Sequence, residues 1–303
     1  MLICVLLRAL YGGLAALAAA FALAPWTRDA FVRYGKTRRA GGRAAGALAR
    51  AASMTVPKNW FAHFYYVGAA TGAVLALDMA GWGWPPAGLV LWAAALLERL
   101  GGGGGSGSSA FAASPGAHTG LVLALYNTHV AVRLAESVAS QPATDAAMHV
   151  GQYGVGLVFY VATPLALAVD SCAGRGWSPV PLWMALAGTA LFAYASVHQW
   201  RCHRILFRLR RKSLQAARGG SQPYAVPSGD LFALVSCPHF LCEILIYVSL
   251  WIATGAQATT AQWVVFWTTV NLGITARESH RWYRATFGPR YPRARRALVP
   301  FVW

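Results

Sequence analysis

The sequence is dominated by apolar stretches of about 20 residues that are separated by basic segments. A helix of that length and composition can cross the hydrocarbon core of a bilayer. Seven such stretches occur, at about 4–24, 60–80, 118–138, 147–170, 181–200, 231–254 and 259–276. The pattern predicts an all-α, polytopic membrane protein with seven transmembrane helices.

The composition excludes an ordinary soluble domain. Hydrophobic residues make up 57% of the chain and charged residues 12%, which is about half of the usual charged share. A net charge of +17 would suggest nucleic acid as a partner in a polar chain. In an apolar chain it indicates basic loops on the cytosolic side of a membrane. We therefore expect the lipid bilayer as a partner, and no nucleic acid.

The basic residues predict the orientation. Of the 26 Lys and Arg residues, 22 fall in three blocks, at 26–58, 201–218 and 277–296. Seven spans put all three blocks on one face, so the N-terminus is expected in the lumen and the C-terminus in the cytosol. A further apolar stretch, Leu89 to Leu97, would break this pattern as an eighth span. It is interpreted as a short lumenal or interfacial helix.

The chain is expected to have two parts. Residues 1–55 form the first transmembrane helix and a basic cytosolic segment. Residues 56–303 form a six-helix core with a Gly-rich linker at 101–116 and a basic cytosolic tail. The first apolar run resembles a signal peptide because it ends in small residues, but Pro25 follows and disfavours cleavage. An uncleaved helix is the preferred interpretation.

Ionisable residues inside apolar spans are costly, and they are therefore candidates for function. His129, Arg133 and Glu136 share one face of the third span. Arg133 and Glu136 form either a structural ion pair or part of a site. In the sixth span Glu243 follows His239 by four residues, and no basic residue lies near it in sequence. Its partner must come from another span or from a ligand.

The end of the last helix offers two candidate proton donors. His280 and Tyr283 are three residues apart and would share a helix face where the helix meets the cytosol. Such a pair also serves as an interfacial anchor. The chain has no HExxH motif and no histidine cluster, so no metal site is expected. It also has no Rossmann or Walker loop.

Several motifs resemble the steroid 5α-reductase family. Two pairs of segments near the C-terminus carry the resemblance: Tyr224-Ala-Val-Pro-Ser-Gly-Asp-Leu-Phe232 with Ser236-Cys-Pro-His-Phe-Leu-Cys-Glu243, and His280-Arg-Trp-Tyr283 with Tyr291-Pro-Arg-Ala-Arg-Arg-Ala-Leu-Val-Pro-Phe301. Others resemble the polyprenol reductase branch: Val56-Pro-Lys-Asn-Trp-Phe-Ala-His-Phe-Tyr65, Met148-His-Val-Gly-Gln-Tyr153 and His198-Gln-Trp-Arg-Cys-His203. The resemblance is dense over the last third of the chain and patchy before it.

The resemblance implies an NADPH-dependent reductase of the endoplasmic reticulum membrane, with a cavity for cofactor and substrate inside the helices. It places seven residues at the cofactor: Gln199, His203, Arg210, Tyr224, His239, Glu243 and Tyr283. His239 departs from the family, where an asparagine is usual. The residues expected in catalysis are His280, Tyr283 and Glu243, and those expected at the substrate are His129 and Arg133.

One departure points to the substrate. In the steroid branch a tyrosine follows the histidine of the third span, whereas Val130 follows His129 here. This favours a polyisoprenoid lipid, whose α-isoprene double bond would be saturated to supply dolichol for protein N-glycosylation. Polyprenol has no carbonyl to accept charge, so the aldehyde polyprenal is the expected substrate. The alternatives are a 3-oxo-5α-steroid 4-dehydrogenase or another enone reductase, and a prenylcysteine carboxyl methyltransferase.

Overall fold

The computed structural model describes residues 2–23, 27, 54–79, 117–142, 146–172, 179–218 and 224–302. This part of the chain is mostly helical, which confirms the predicted helical class. Three predicted features lie outside the described residues: the basic segment from Arg28 to Arg50, the apolar stretch from Leu89 to Leu97, and the Gly-rich linker at 101–116.

Seven α-helices occur within the described residues, one at each predicted span. They are α1 Leu2–Leu23, α2 Phe61–Met79, α3 Ala117–Ala135, α4 Val150–Cys172, α5 Leu182–Arg218, α6 Pro238–Ala253 and α7 Thr259–Phe287. Shorter turns add a π-helical segment at Glu136–Ser140 and 3₁₀ segments at Lys58–Trp60, Asp230–Ala233 and Gly288–Arg290.

Three described helical segments are long and apolar enough to cross a bilayer: Leu2–Leu23, Lys58–Asp78 and Val150–Ser171. Helix α6 is apolar but shorter. These segments make the chain a membrane protein, while the crossing of all seven helices stays a prediction. Helix α5 has 37 residues and is therefore about 55 Å long. It is longer than a bilayer's hydrocarbon core is thick, and its second half carries the basic residues at 201–218.

The helices pack in neighbouring pairs. Helix α5 lies along α6, α1 lies against α7, and α2 packs between α3 and α4. The close approach of α5 to α6 depends on Gly188, because a Cβ there would lie 2.8 Å from the Ser249 carbonyl oxygen. Large side chains with almost no exposed surface, such as Tyr11, Tyr126 and Tyr247, fill the space between the helices.

A two-stranded antiparallel ribbon, which the sequence did not predict, brings two of the family-like motifs together. Strand β1, Thr55–Pro57, pairs with β2, Ala147–His149, with Val56 opposite Met148. The ribbon continues into the helices, since the Lys58 amide donates to the Ala146 carbonyl at 2.8 Å. The first turns of α2 and α4 are therefore held side by side.

The segment after α7 folds back onto the residues before α6. Gly288, with φ +52°, reverses the chain direction in a conformation that favours glycine. Val235 and Arg296 then form a parallel β-bridge. The Ser236 amide donates to the Arg296 carbonyl at 2.8 Å, and the Cys237 amide to the Ala297 carbonyl at 3.2 Å. We call residues 288–302 the C-terminal segment.

Candidate active site

A cavity of about 950 Å³ lies between the helices, at the upper end of the roughly 300–1,000 Å³ found for ligand pockets. One wall is apolar and comes mainly from α1, α4 and α7. It includes Leu14, Leu17, Phe21, Val155, Phe159 and Trp267. The polar wall comes from α3, α5, α6, the C-terminal half of α7 and the segment before α6.

The polar wall contains most of the residues that the sequence singled out. All ten predicted site residues are described, and eight of them line the cavity: Arg133, Gln199, His203, Arg210, Tyr224, His239, Glu243 and Tyr283. Two do not, His129 and His280. Residues from four helices and one loop are thus brought to one cavity.

Glu243 is held at the cavity by two other helices. Its Oε2 accepts a hydrogen bond from Gln199 Nε2 at 2.5 Å. Its Oε1 lies 3.2 Å from His129 Nε2. His129 has only 2% of its surface exposed and sits behind the carboxylate, away from the cavity. This confirms that the partner of Glu243 comes from another helix, and it makes His129 a support for Glu243.

Arg133 connects α3 to α2 and α5. Its Nη2 donates to the Tyr65 hydroxyl at 3.0 Å, and its Nη1 forms the ion pair with Glu136 that the sequence anticipated. The same Nη1 lies 2.7 Å from His203 Nδ1, which is also 3.0 Å from Glu136 Oε2. These contacts join α3 to α5, and Arg133 and His203 both line the cavity.

Tyr283 presents a hydroxyl-bearing ring to the cavity. Its ring stacks on Tyr291, with 5.4 Å between centroids and an interplanar angle of 5°. Burial raises the pKa of Tyr283 above its usual range. The phenol therefore stays protonated at neutral pH and can donate a hydrogen bond.

His280 does not face the cavity with Tyr283, which corrects that expectation. Its Nδ1 lies 2.6 Å from Ser236 Oγ, on the side of α7 that the C-terminal segment covers. The helix explains the difference, because successive residues point about 100° apart. Ser279 and Tyr283 are four residues apart and line the cavity, while His280 is turned away.

Comparison with known proteins identifies the family. The family model described as 3-oxo-5-alpha-steroid 4-dehydrogenase matches residues 173–303. Polyprenal reductase 1 of Oryza sativa subsp. indica is 31% identical over 318 residues, which cover 90% of this chain and 87% of that protein. The chain belongs to the steroid 5α-reductase family. Membership in this reductase family makes it an oxidoreductase.

Two further proteins named polyprenal reductase show a similar degree of identity. Polyprenal reductase of Mus musculus is 31% identical over 287 residues, covering 90% of this chain and 85% of that protein. Polyprenal reductase 2 of Arabidopsis thaliana is 32% identical over 299 residues, covering 82% and 83%. The similarity thus extends well upstream of the region that the family model matches.

Two residues that line the cavity, Lys58 and Tyr65, were not identified from the sequence. Lys58 lines the cavity, and Tyr65 both lines it and accepts the hydrogen bond from Arg133. Both lie in the segment from Val56 to Tyr65 that carries part of the family resemblance. Their approach to α3 and α5 depends on contacts that are distant in sequence. Within the described residues, no group of three or more metal-ligating side chains gathers.

Proposed function

We propose that the chain is an NADPH-dependent reductase of the endoplasmic reticulum membrane that saturates the α-isoprene double bond of polyprenal. The observation that carries this is the similarity to proteins named polyprenal reductase, over 82–90% of the chain. Val130, fully buried beside His129, supports it, because no tyrosine is present there to hold a steroid carbonyl. The product would lead to dolichol for protein N-glycosylation.

The polar wall fits a nicotinamide dinucleotide. Arg133 and Arg210 are suited to phosphate, since a guanidinium binds phosphate oxygens in pairs. Glu243 can accept a hydrogen bond from a carboxamide, and its orientation is set by Gln199 and His129. His203, Tyr224 and His239 complete the wall. Bound NADPH would supply the hydride for the reaction.

The residues present favour an aldehyde over an alcohol as substrate. When a hydride adds to the β-carbon of an enal and a proton to the α-carbon, negative charge develops on the carbonyl oxygen. A hydrogen-bond donor at that oxygen stabilises the transition state. Tyr283 is the proposed donor, because its hydroxyl is protonated and its ring is fixed by stacking on Tyr291. Polyprenol has no such oxygen.

The apolar wall suits an isoprenoid chain. Leu14, Leu17 and Phe21 of α1 line the cavity, as do Phe159 of α4 and Trp267 of α7. Each methylene group transferred out of water contributes about 0.8 kcal/mol, so a long isoprenoid remains in the bilayer. The substrate would therefore enter from the lipid, and the cofactor from the cytosol.

An assay on detergent-purified protein tests the proposal. Polyprenal, polyprenol and a 3-oxo-4-ene steroid are each supplied with NADPH, and with NADH as a second cofactor. We expect saturation of polyprenal with NADPH, with much slower reaction of polyprenol. The steroid is included because the matching family model is described by a steroid reaction. Turnover of the steroid alone, or of polyprenol as fast as polyprenal, would contradict the proposal.

A variant tests the role of Tyr283. Tyr283→Phe removes the donor but keeps the ring, and we expect kcat to fall by roughly 10²–10³-fold, as for other lost oxyanion donors. Tyr194→Phe is the matched control, because Tyr194 lies on α5 with 49% of its surface exposed. Unchanged kcat in Tyr283→Phe would exclude Tyr283 as the donor.

A further inference from the structure

Four polar groups meet behind the cavity wall. Ser236 Oγ lies 2.6 Å from His280 Nδ1, 2.6 Å from the Tyr291 hydroxyl and 2.9 Å from the Arg296 carbonyl oxygen. Ser236 has 1% of its surface exposed and Tyr291 has 3%. We call these four groups the Ser236 cluster.

The chemistry of the groups determines the direction of each hydrogen bond. A serine hydroxyl has one hydrogen and two lone pairs, and a carbonyl oxygen can only accept. Ser236 therefore donates its hydrogen to the Arg296 carbonyl. Its lone pairs then accept from Tyr291 and from His280, so the hydrogen of a neutral His280 ring is on Nδ1. Nε2 carries a lone pair and no hydrogen.

The charge of His280 is also set by its surroundings. Burial, and then the positive charges of Arg284, Arg296 and Arg295, lower the pKa of His280 from its ordinary value of 6.5. The ring is therefore neutral at physiological pH. A neutral ring whose only hydrogen is held by Ser236 has no hydrogen to give to a substrate.

The Ser236 cluster connects three segments that contribute to the cavity. Ser236 precedes Cys237 and His239, which line it, and His280 follows Ser279, which also lines it. Tyr291 stacks on Tyr283. The next bond along the C-terminal segment runs from Arg295 Nη1 to the carbonyl of Pro227, a residue of the cavity wall, at 3.0 Å.

We propose that His280 is a positioning residue, which donates from Nδ1 to Ser236 and thereby holds the C-terminal segment and Tyr283 in place. It does not transfer a proton to the substrate. The consequence for catalysis rests on the proposed function, whereas the direction of the hydrogen bonds does not.

Three substitutions of His280 distinguish a positioning role through Nδ1 from proton transfer to the substrate. Asparagine places its amide nitrogen close to the position of Nδ1, whereas glutamine places it close to that of Nε2. We expect His280→Asn to keep kcat within roughly tenfold of wild type. In His280→Ala and His280→Gln we expect kcat to be roughly 10–100-fold lower than in His280→Asn. Activity retained by His280→Gln but not by His280→Asn would overturn the proposal.

Two measurements do not depend on activity. The ¹⁵N chemical shifts of His280 in detergent micelles should report hydrogen on Nδ1, and hydrogen on Nε2 would refute the assignment. Hydrogen exchange of the Arg296 amide, which donates to the Leu234 carbonyl at 3.3 Å, should speed up in His280→Ala and in Ser236→Ala but not in His280→Asn. Unchanged exchange in both alanine variants would also refute it.

The same experiments distinguish failure of the inference from failure of the proposed function. Exchange in the middle of α4, Val150–Cys172, reports whether a variant is still folded. If an alanine variant does not fold, the ¹⁵N shifts of the wild type alone decide which ring nitrogen of His280 carries the hydrogen. If polyprenal is not reduced, the hydrogen positions and the exchange of the C-terminal segment still test the Ser236 cluster.

Discussion

Arg133 shows how one side chain can link neighbouring helices of this protein and also line its cavity. Its Nη2 donates to the Tyr65 hydroxyl at 3.0 Å while its Nη1 pairs with Glu136. The guanidinium carbon also lies 5.2 Å from the centre of the Tyr65 ring. A planar group with several fixed donors makes these contacts together, and a lysine ammonium does not.

We therefore expect Arg133→Lys to be damaging although it preserves the charge. The lost hydrogen bonds leave buried polar partners unsatisfied, which costs about 1–3 kcal/mol. Thermal unfolding in detergent should show the loss, and fluorescence titration should show weaker NADPH binding. Arg204→Lys is the control, because Arg204 is exposed and lies over the Trp200 ring. Equal melting temperatures for both variants would argue against this account.

The residues also show where inference from sequence ends. Glu243 could be recognised as needing a partner, because a carboxylate inside an apolar helix is costly. That the partners are Gln199 and His129 depends on the packing of three helices, which no local pattern encodes. Similarly, three-residue spacing leaves side chains about 60° apart around a helix. It could not show that Tyr283 faces the cavity and His280 does not.

Among the elements, the helices were predictable and the contacts between them were not. Apolar runs marked each helix, but α5 and α7 continue for 18 and 11 residues beyond the predicted spans, to Arg218 and Phe287. The hydropathy signal stops where charge begins, whereas arginine, lysine and leucine still favour helix. The ribbon of β1 and β2 has only three residues in each strand. Such short strands carry no usable alternation.

Helix α1 is connected to α4 and α7 by a buried polar cluster. Asp170 accepts hydrogen bonds from the amide of Thr260 at 2.6 Å and from its hydroxyl at 2.9 Å. Arg8 donates to Asp170 at 2.8 Å and to the Thr260 hydroxyl at 3.0 Å. One carboxylate thus caps the first turn of α7 and neutralises the cation of α1.

We expect Asp170→Ala to destabilise the protein strongly. It leaves Arg8 without this counterion and the Thr260 amide without this acceptor, and breaking a buried pair in this way costs about 3–5 kcal/mol. Thermal unfolding in detergent measures the effect. Thr269→Ala is the control, since Thr269 is exposed and its hydrogen bond to the Val265 carbonyl stays within α7. A loss of thermal stability no larger than that of the control would show that the Asp170 cluster does not hold α1 in place.

On the scale of the whole molecule, the described helices α1 to α7 run in alternating directions. The start of α1, the end of α4 and the start of α7 meet at the Asp170 cluster. At the other end of the molecule, Arg211 of α5 donates to the carbonyl of Ser140, just after α3. The ribbon holds the starts of α2 and α4 at this same end. The basic ends of α5 and α7 also lie there, and the positive-inside rule predicts that this end faces the cytosol.

This arrangement predicts which loops are reached from each side of the membrane. Ala256, between α6 and α7, is exposed at the end of the Asp170 cluster, and Arg290 is exposed at the basic end. In sealed vesicles with the cytosolic face outward, an impermeant maleimide should label Arg290→Cys at once. It should label Ala256→Cys only after detergent opens the vesicles. Wild type gives the background, because four of its five cysteines are buried and free. The reverse order would place the basic end in the lumen and contradict the positive-inside orientation. Immediate labelling at both sites would contradict the prediction that α7, which separates the two positions, crosses the membrane.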